Sequence, residues 1–237
     1  MKIDSNSFNP MIQGAQNKPA NISIEQKMTS QINALNQGSE NAQTVVDALK
    51  TADGALQSVS DPLQEIKQLA IQAQNGILTV DDKNAIQSQI EGLKSSIKDT
   101  LKNTEFNTIK LLGQDRKLNV QTGNQGTSMQ LQNTSLESLG ISDFNVTGDF
   151  DLSKIDQALE KVSAARSKMG SKTTGLESTV RSNDIAQENT VASRANLEED
   201  LLTQISDFKK QDYLKQYQLS TQKLQMESQK SKLNILA

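Results

Sequence analysis

Two stretches of this chain come nearest to a chemical motif: the adjacent carboxylates Asp81-Asp82 and the run Thr122-Gly123-Asn124-Gln125-Gly126-Thr127. Paired carboxylates serve acid–base catalysis or hold a divalent cation, and a glycine-rich turn can offer backbone N–H groups to a phosphate. Neither reading survives its surroundings. Asp81-Asp82 precedes Ile86, Ile90, Leu93, Ile97 and Leu101 at helical spacing, so the two acids fall in a first helical turn, where carboxylates cap N–H groups and complement the dipole. Gly123 to Gly126 has no following Lys and no helix to supply donors. The 237 residues contain neither His nor Cys. That removes the usual general base, the physiological pH switch, the thiolate and the commonest transition-metal ligand together. Ser, Asp and Lys are plentiful, yet nothing spaces them as nucleophile, base and oxyanion site. The expectation is a protein with no catalytic, cofactor-binding or metal-binding residues, not an enzyme, and with no concave pocket in its helical body.

Charge and hydropathy exclude further classes. Lys and Arg number 25 against 28 Asp and Glu, a net charge of −3, with the signs interspersed along the helical stretches. The clustered positive charge of a nucleic-acid surface is absent, so no nucleic-acid partner is expected. No apolar run approaches a membrane span, and the opening residues carry no apolar signal-peptide core, so no membrane partner and no cleaved signal are expected. With 34% hydrophobic and 3% aromatic residues, a large globular core is out of reach. A mainly α protein is predicted, an elongated antiparallel coiled-coil helical bundle with one small β-hairpin.

One stretch organises that bundle. Alternate steps of three and four residues from Met28 give Gln31, Leu35, Gly38, Ala42, Val45, Leu49, Ala52, Leu56, Val59, Leu63, Ile66, Ala70 and Ala73, all apolar except Gln31 and Gly38. A heptad seam of this length makes a helix of roughly 70 Å that needs a partner over its whole stripe. Asn21 or Ser23 is the expected N-cap, Pro62 a kink rather than a break because the seam keeps phase across it, and Asn75-Gly76 the stop. The next helix opens at Asp81 after a short loop and forms an αα-hairpin with the first. Between Asn103 and Gly148 the helical period vanishes, and alternation in 117–121 and 128–132 predicts a β-hairpin near 116–132. Asp151 begins a second long helical stretch with Ile155, Leu159, Val162, Arg166, Met169, Thr173, Leu176 and Val180 on its seam. That seam turns polar through Asn183, Gln187, Thr190 and Arg194 before apolar residues return. Three regions follow: a flexible arm, 1–22, holding Pro10 and Pro19; a helical core, 23–195; and a C-terminal helix, 196–237.

The order of short motifs resembles bacterial flagellin and its relative, the hook-filament junction protein. Met28-Thr29-Ser30-Gln31-Ile32, Leu35-Asn36-Gln37 and Asn41-Ala42 are similar to the family's first block, continued by Thr51-Ala52-Asp53-Gly54-Ala55-Leu56 and by Leu63 to Ala73. Thr104-Glu105-Phe106-Asn107 with Lys110-Leu111-Leu112 is the most specific short match. Leu159 to Arg166 and Leu176 to Val180 are similar to the returning helix of the same bundle.

The resemblance implies a secreted structural subunit of the bacterial flagellum, without chemistry of its own, that stacks with other flagellin subunits into a filament serving motility. A flagellar export chaperone and the type III export apparatus are the further partners it implies. The hairpin after Leu112 and the short link to Asp151 leave no room for the variable outer domains many flagellins carry, so a core-only member is expected. The family's additional N-terminal helix is expected to be missing, since 1–22 is short and rich in Pro and Asn. Assembly is then expected to rest on Leu214, Leu219, Leu224, Leu233, Ile235 and Leu236, whose other reading is a fold-back onto the chain's own bundle. At positions matching the family's receptor-contacting Arg and Glu this chain has Glu65 and Gln89, with Leu69 kept, which implies weakened recognition by innate immune receptors. Two alternatives stand beside the filament subunit: an accessory or junction-type subunit, and a secreted module that binds without polymerising.

Overall fold

The computed structural model describes the backbone of residues 9–235 except Asn124, and the side chains of 22–123 and 125–229. In chain order these are helices α1 (Asn9–Ala73) and α2 (Val80–Asn103), strands β1 (Glu105–Phe106), β2 (Ile109–Lys110), β3 (Arg116–Gln121) and β4 (Gly126–Leu131), a single turn α3 (Leu136–Leu139), and α4 (Ser153–Ile235). The fold is mainly α, with antiparallel helix packing and two small antiparallel hairpins. The described residues fall into two compact units, 33–186 and, together, 9–32 with 187–235.

In the unit Asn33–Ala186, the α1 seam is buried as its spacing predicts, with Leu35, Ala42, Leu49, Ala52, Leu56, Val59, Leu63, Ile66, Ala70 and Ala73 inside. Leu56, Val59 and Leu63 are fully inaccessible. Their cover is α2, through Ile86, Ile90, Ile97 and Leu101, and α4, through Ile155, Ala158, Val162, Ala165, Met169 and Leu176. Ion pairs fix the α1–α4 direction: Lys67 meets Asp156, Asp53 meets Arg166, and Lys50 meets Glu177, so one helix rises as the other descends. The Asp53 carboxylate accepts from Arg166 Nε at 2.9 Å, and this hydrogen bond raises the guanidinium above its ordinary range.

Helix ends follow local chemistry. Thr79 caps α2 in a reciprocal box: its hydroxyl accepts from the Asp82 N–H at 3.2 Å, and Asp82 Oδ2 accepts from the Thr79 N–H at 2.9 Å. The Asp81-Asp82 pair is therefore the start of a helix, with one carboxylate engaged in capping. Helix α1 runs unbroken through Pro62. It also begins at Asn9, so residues 9–22 are helical where their composition predicts an arm, and Asn21 and Ser23 lie inside the helix rather than capping it. Pro10 falls in the first turn, where its missing N–H has no helical partner to lose. Likewise, 153–235 forms one helix, with no break near residue 196.

The β3–β4 hairpin spans Arg116 to Leu131 with Val120, Met129 and Leu131 turned inward. Its turn is held to both long helices. Asn41 Nδ2 donates to the Gln121 carbonyl at 3.0 Å from α1, and Asn183 Nδ2 donates to the Thr122 carbonyl at 3.4 Å from α4. A Cβ at Gly38 would lie 2.0 Å from the Gly123 nitrogen, so only glycine lets the turn reach α1. Sequence alternation missed the smaller β1–β2 hairpin. Its turn residues Asn107 and Thr108 both have positive φ, 47° and 65°, the type I′ geometry normally signalled by Asn-Gly, and a β-branched Thr hides that signal.

Candidate assembly interface

The apolar residues proposed for assembly lie on the C-terminal part of α4. Leu214, Leu219 and Leu224 are 54%, 56% and 66% exposed. Leu233 and Ile235 are within α4, but their side chains, and all of Leu236, lie outside the described residues. At about 100° per residue, the three described leucines do not share one face. Leu219 aligns with Leu197, Leu201, Ile205, Phe208 and Met226 in a stripe roughly 80° wide. Leu224 lies with Leu202, Tyr213 and Tyr217 on a second stripe, and Leu214 beyond it. Phe208 is 50% and Met226 64% exposed, and both belong to the first stripe although the site expectation passed over them. Counting the 3.6-residue period from Leu197 would have found them. Asp212, Lys215 and Lys223 interrupt this stripe, and the Gln- and Lys-rich composition masked it.

A second surface lies in the unit Asn33–Ala186. Glu65 and Gln89 are exposed, on α1 and α2, while Leu69 is half-buried and packs on the core. Next to Gln89, α2 carries a polar cluster. Lys94, 5% exposed, donates to Glu91 Oε1 at 2.8 Å, and Gln87 donates to the same oxygen at 2.7 Å while its Oε1 accepts from the Val146 N–H at 2.8 Å. These bonds hold the 141–146 loop on α2, with Ile141, Phe144 and Val146 buried. Their office is structural, because each polar atom is engaged with loop backbone or with its neighbour on α2.

The expectation of no concave pocket fails. A groove of about 690 Å³ runs beside β4 against α4, lined by Thr122, Thr127, Ser128, Ser171, Lys172 and Ser178 among others, and a second of about 360 Å³ adjoins it through Ser128, Met129, Ser171 and Lys172. A hairpin of only two strands cannot fill the space beside a long helix, and the sequence gives no sign of that gap. Neither groove contains a carboxylate, so no general acid–base pair forms there. Among the described residues, no group of three or more Asp and Glu side chains is placed to hold a metal ion, and no helix is long and apolar enough to cross a membrane.

Comparison with known proteins converges on one family. Residues 10–117 match the bacterial flagellin N-terminal helical region. Flagellin of Serratia marcescens is 37% identical over 139 residues, covering 57% of this chain and 40% of that protein. Phase 1 flagellin of Salmonella naestved is 34% identical over 140 residues, covering 58% of this chain and 28% of its own. The chain thus spans less than half the length of these curated relatives. Among solved structures, Bacillus cereus flagellin superposes with a TM-score of 0.54 at 25% identity, over 61% of this chain and 88% of that one. A Vibrio parahaemolyticus protein described as flagellar hook-associated shares the fold, with a TM-score of 0.63 at 15% identity over 76% and 97% of the two chains. The matched N-terminal region holds the α1 seam, the capped α2 and the start of the hairpin, and it is this part of the chain that is similar to bacterial flagellins.

Proposed function

We propose that this chain is a structural subunit of the bacterial flagellar filament, exported from the cell and co-assembled with other flagellin subunits to serve motility. The observation that carries the reading is the apolar stripe of α4 between Leu201 and Met226, left largely in solvent on a chain with a flagellin N-terminal region. Covering such a stripe with a neighbouring helix contributes about 25 cal/mol for each Å² of apolar surface removed from water. On this reading Leu219 contributes to one stripe and Leu224 to the other. Leu214, Leu233, Ile235 and Leu236 complete the same terminal segment. An export chaperone would shield the segment before assembly, and the type III apparatus would carry the chain out. The role is mechanical, without catalysis.

Electron microscopy with sedimentation tests this, on the chain alone and with seeds of a full-length flagellin. Incorporation that is lost in a Phe208→Lys/Leu219→Lys double variant supports the reading. A chain that stays monomeric with and without seeds overturns it and leaves the non-polymerising binding module.

The exchange at Glu65 and Gln89 supports a narrower proposal, that innate flagellin receptors respond weakly to this chain. A reversed charge at an interface hot spot costs on the order of 2 to 5 kcal/mol. A receptor-reporter assay in which this chain equals an ordinary flagellin in potency would refute it.

A further inference from the structure

The β3–β4 sheet has two strands, so each strand has an edge with no strand beside it. On β4 the open edge faces the groove against α4, because β4 and α4 residues line that groove and no β3 residue does. The register identifies the backbone groups involved. Thr122 N–H donates to the Gln125 carbonyl at 2.8 Å and closes the turn. Antiparallel alternation then makes Val120–Thr127, Leu118–Met129 and Arg116–Leu131 the hydrogen-bonded pairs. Ser128 and Gln130 belong to the intervening pairs, so their N–H and C=O groups point away from β3. Among the described residues, neither backbone has a recorded hydrogen-bond partner.

The slot beside this edge is framed. At one end Asn183 Nδ2 donates to the Thr122 carbonyl, and at the other Lys168 Nζ donates to Gln132 Oε1 at 3.0 Å. Between them lies a floor of Leu35, Leu49, Ala165, Met169 and Leu176, with seryl and threonyl hydroxyls on the walls. No carboxylate lines either groove, while Lys172 borders both and forms no ion pair among the described residues. Six residues of strand are about 20 Å long, room for four or five residues of a visiting strand.

We propose that this slot binds an extended peptide segment of a partner polypeptide, added as a third strand to the open edge of β4. Ser128 and Gln130 supply the backbone hydrogen bonds, alternate apolar side chains of the peptide enter the floor, and one peptide carboxylate pairs with Lys172. The proposal rests on the slot alone and stands whether or not the chain assembles into filaments.

The probe is a capped five-residue peptide alternating valine and threonine around one aspartate, titrated into the full ¹⁵N-labelled chain. Saturable binding is expected, with exchange of the Ser128 and Gln130 amide protons slowed at least about fivefold and that of Met129 unchanged. Ser128→Pro removes an outward N–H that β3 does not use, a position where a strand tolerates proline, and is expected to weaken binding at least about tenfold. Lys172→Glu is expected to reverse the preference from the aspartate peptide to its lysine counterpart. The exchange measurement on the unaltered chain keeps the test decisive if the proline variant loses its hairpin. Absence of saturable binding by both peptides at millimolar concentration, or binding that leaves the Ser128 and Gln130 amides unprotected, overturns the proposal.

Discussion

Gly38 shows how one residue couples three elements. Its missing Cβ admits the Gly123 backbone against α1, next to the Asn41 and Asn183 bonds that hold the same turn. Gly38→Ala is expected to destabilise the chain by about 1 to 3 kcal/mol, read from the denaturation midpoint, because the obstructing atoms are backbone and have no rotamer to change. At Gly54, in the same helix, a Cβ would meet nothing within 4 Å. There Gly54→Ala is expected to stabilise by about 0.5 to 1 kcal/mol. Acid sensitivity is also set by single residues. Hydrogen bonds from Thr79 hold Asp82 below its ordinary 3.8, and bonds from Ser153 do the same for Asp151. A depressed carboxylate stabilises the fold above its unfolded value, and that contribution is lost as pH falls through the lower folded value. Thermal melts from pH 5 down to pH 2 are therefore expected to show a shallower acid loss for Asp82→Asn than for the parent chain. A parallel loss in both would refute the assignment of this capping box as an acid-sensitive element.

At the scale of elements, α4 is one helix with two environments. Up to Leu176 its apolar residues enter the core, and beyond Leu201 they are exposed. Leu56→Ala, on the buried α1 seam, is expected to cost about 2 to 5 kcal/mol through the cavity it leaves. Leu219→Ala is expected to change monomer stability by less than about 0.5 kcal/mol and still to reduce seeded incorporation. Chemical denaturation alongside sedimentation separates the two effects. A large loss of monomer stability for Leu219→Ala would mean the helix packs on its own chain.

At the scale of the molecule, the described residues divide into a unit with an apolar core and one whose α4 side chains are mostly in solvent. Helices without packed partners open at little free-energy cost. Brief trypsin treatment of the monomer is therefore expected to cut first at Lys209, Lys210, Lys215 or Lys223, all exposed, and to leave Asn33–Ala186 intact. Assembly is expected to suppress those cuts. First cleavage at Lys50 or Lys67, which bridge to α4, would contradict this order of stability.

The α1 seam, the α2 face, the Asp82 cap and the main hairpin were legible in the sequence because each is set by local physics: helical or strand period, capping chemistry and turn residues. The absence of His and Cys was equally plain, and the order of motifs carried the similarity to flagellins. What residues 9–22 form, whether α4 pauses near residue 196, and where the turn of β3–β4 lands depend on partners far away in sequence. Local composition describes how a segment solvates, whereas its tertiary neighbours decide whether ordering it is repaid. The grooves beside β4 were invisible for the same reason: they are spaces between elements, bounded by α4 and by a sheet too narrow to fill them. The sequence determined which faces must be covered and that chemistry at His or Cys was unavailable. The tertiary structure decided which faces were covered, because burial depends on what else the chain brings alongside.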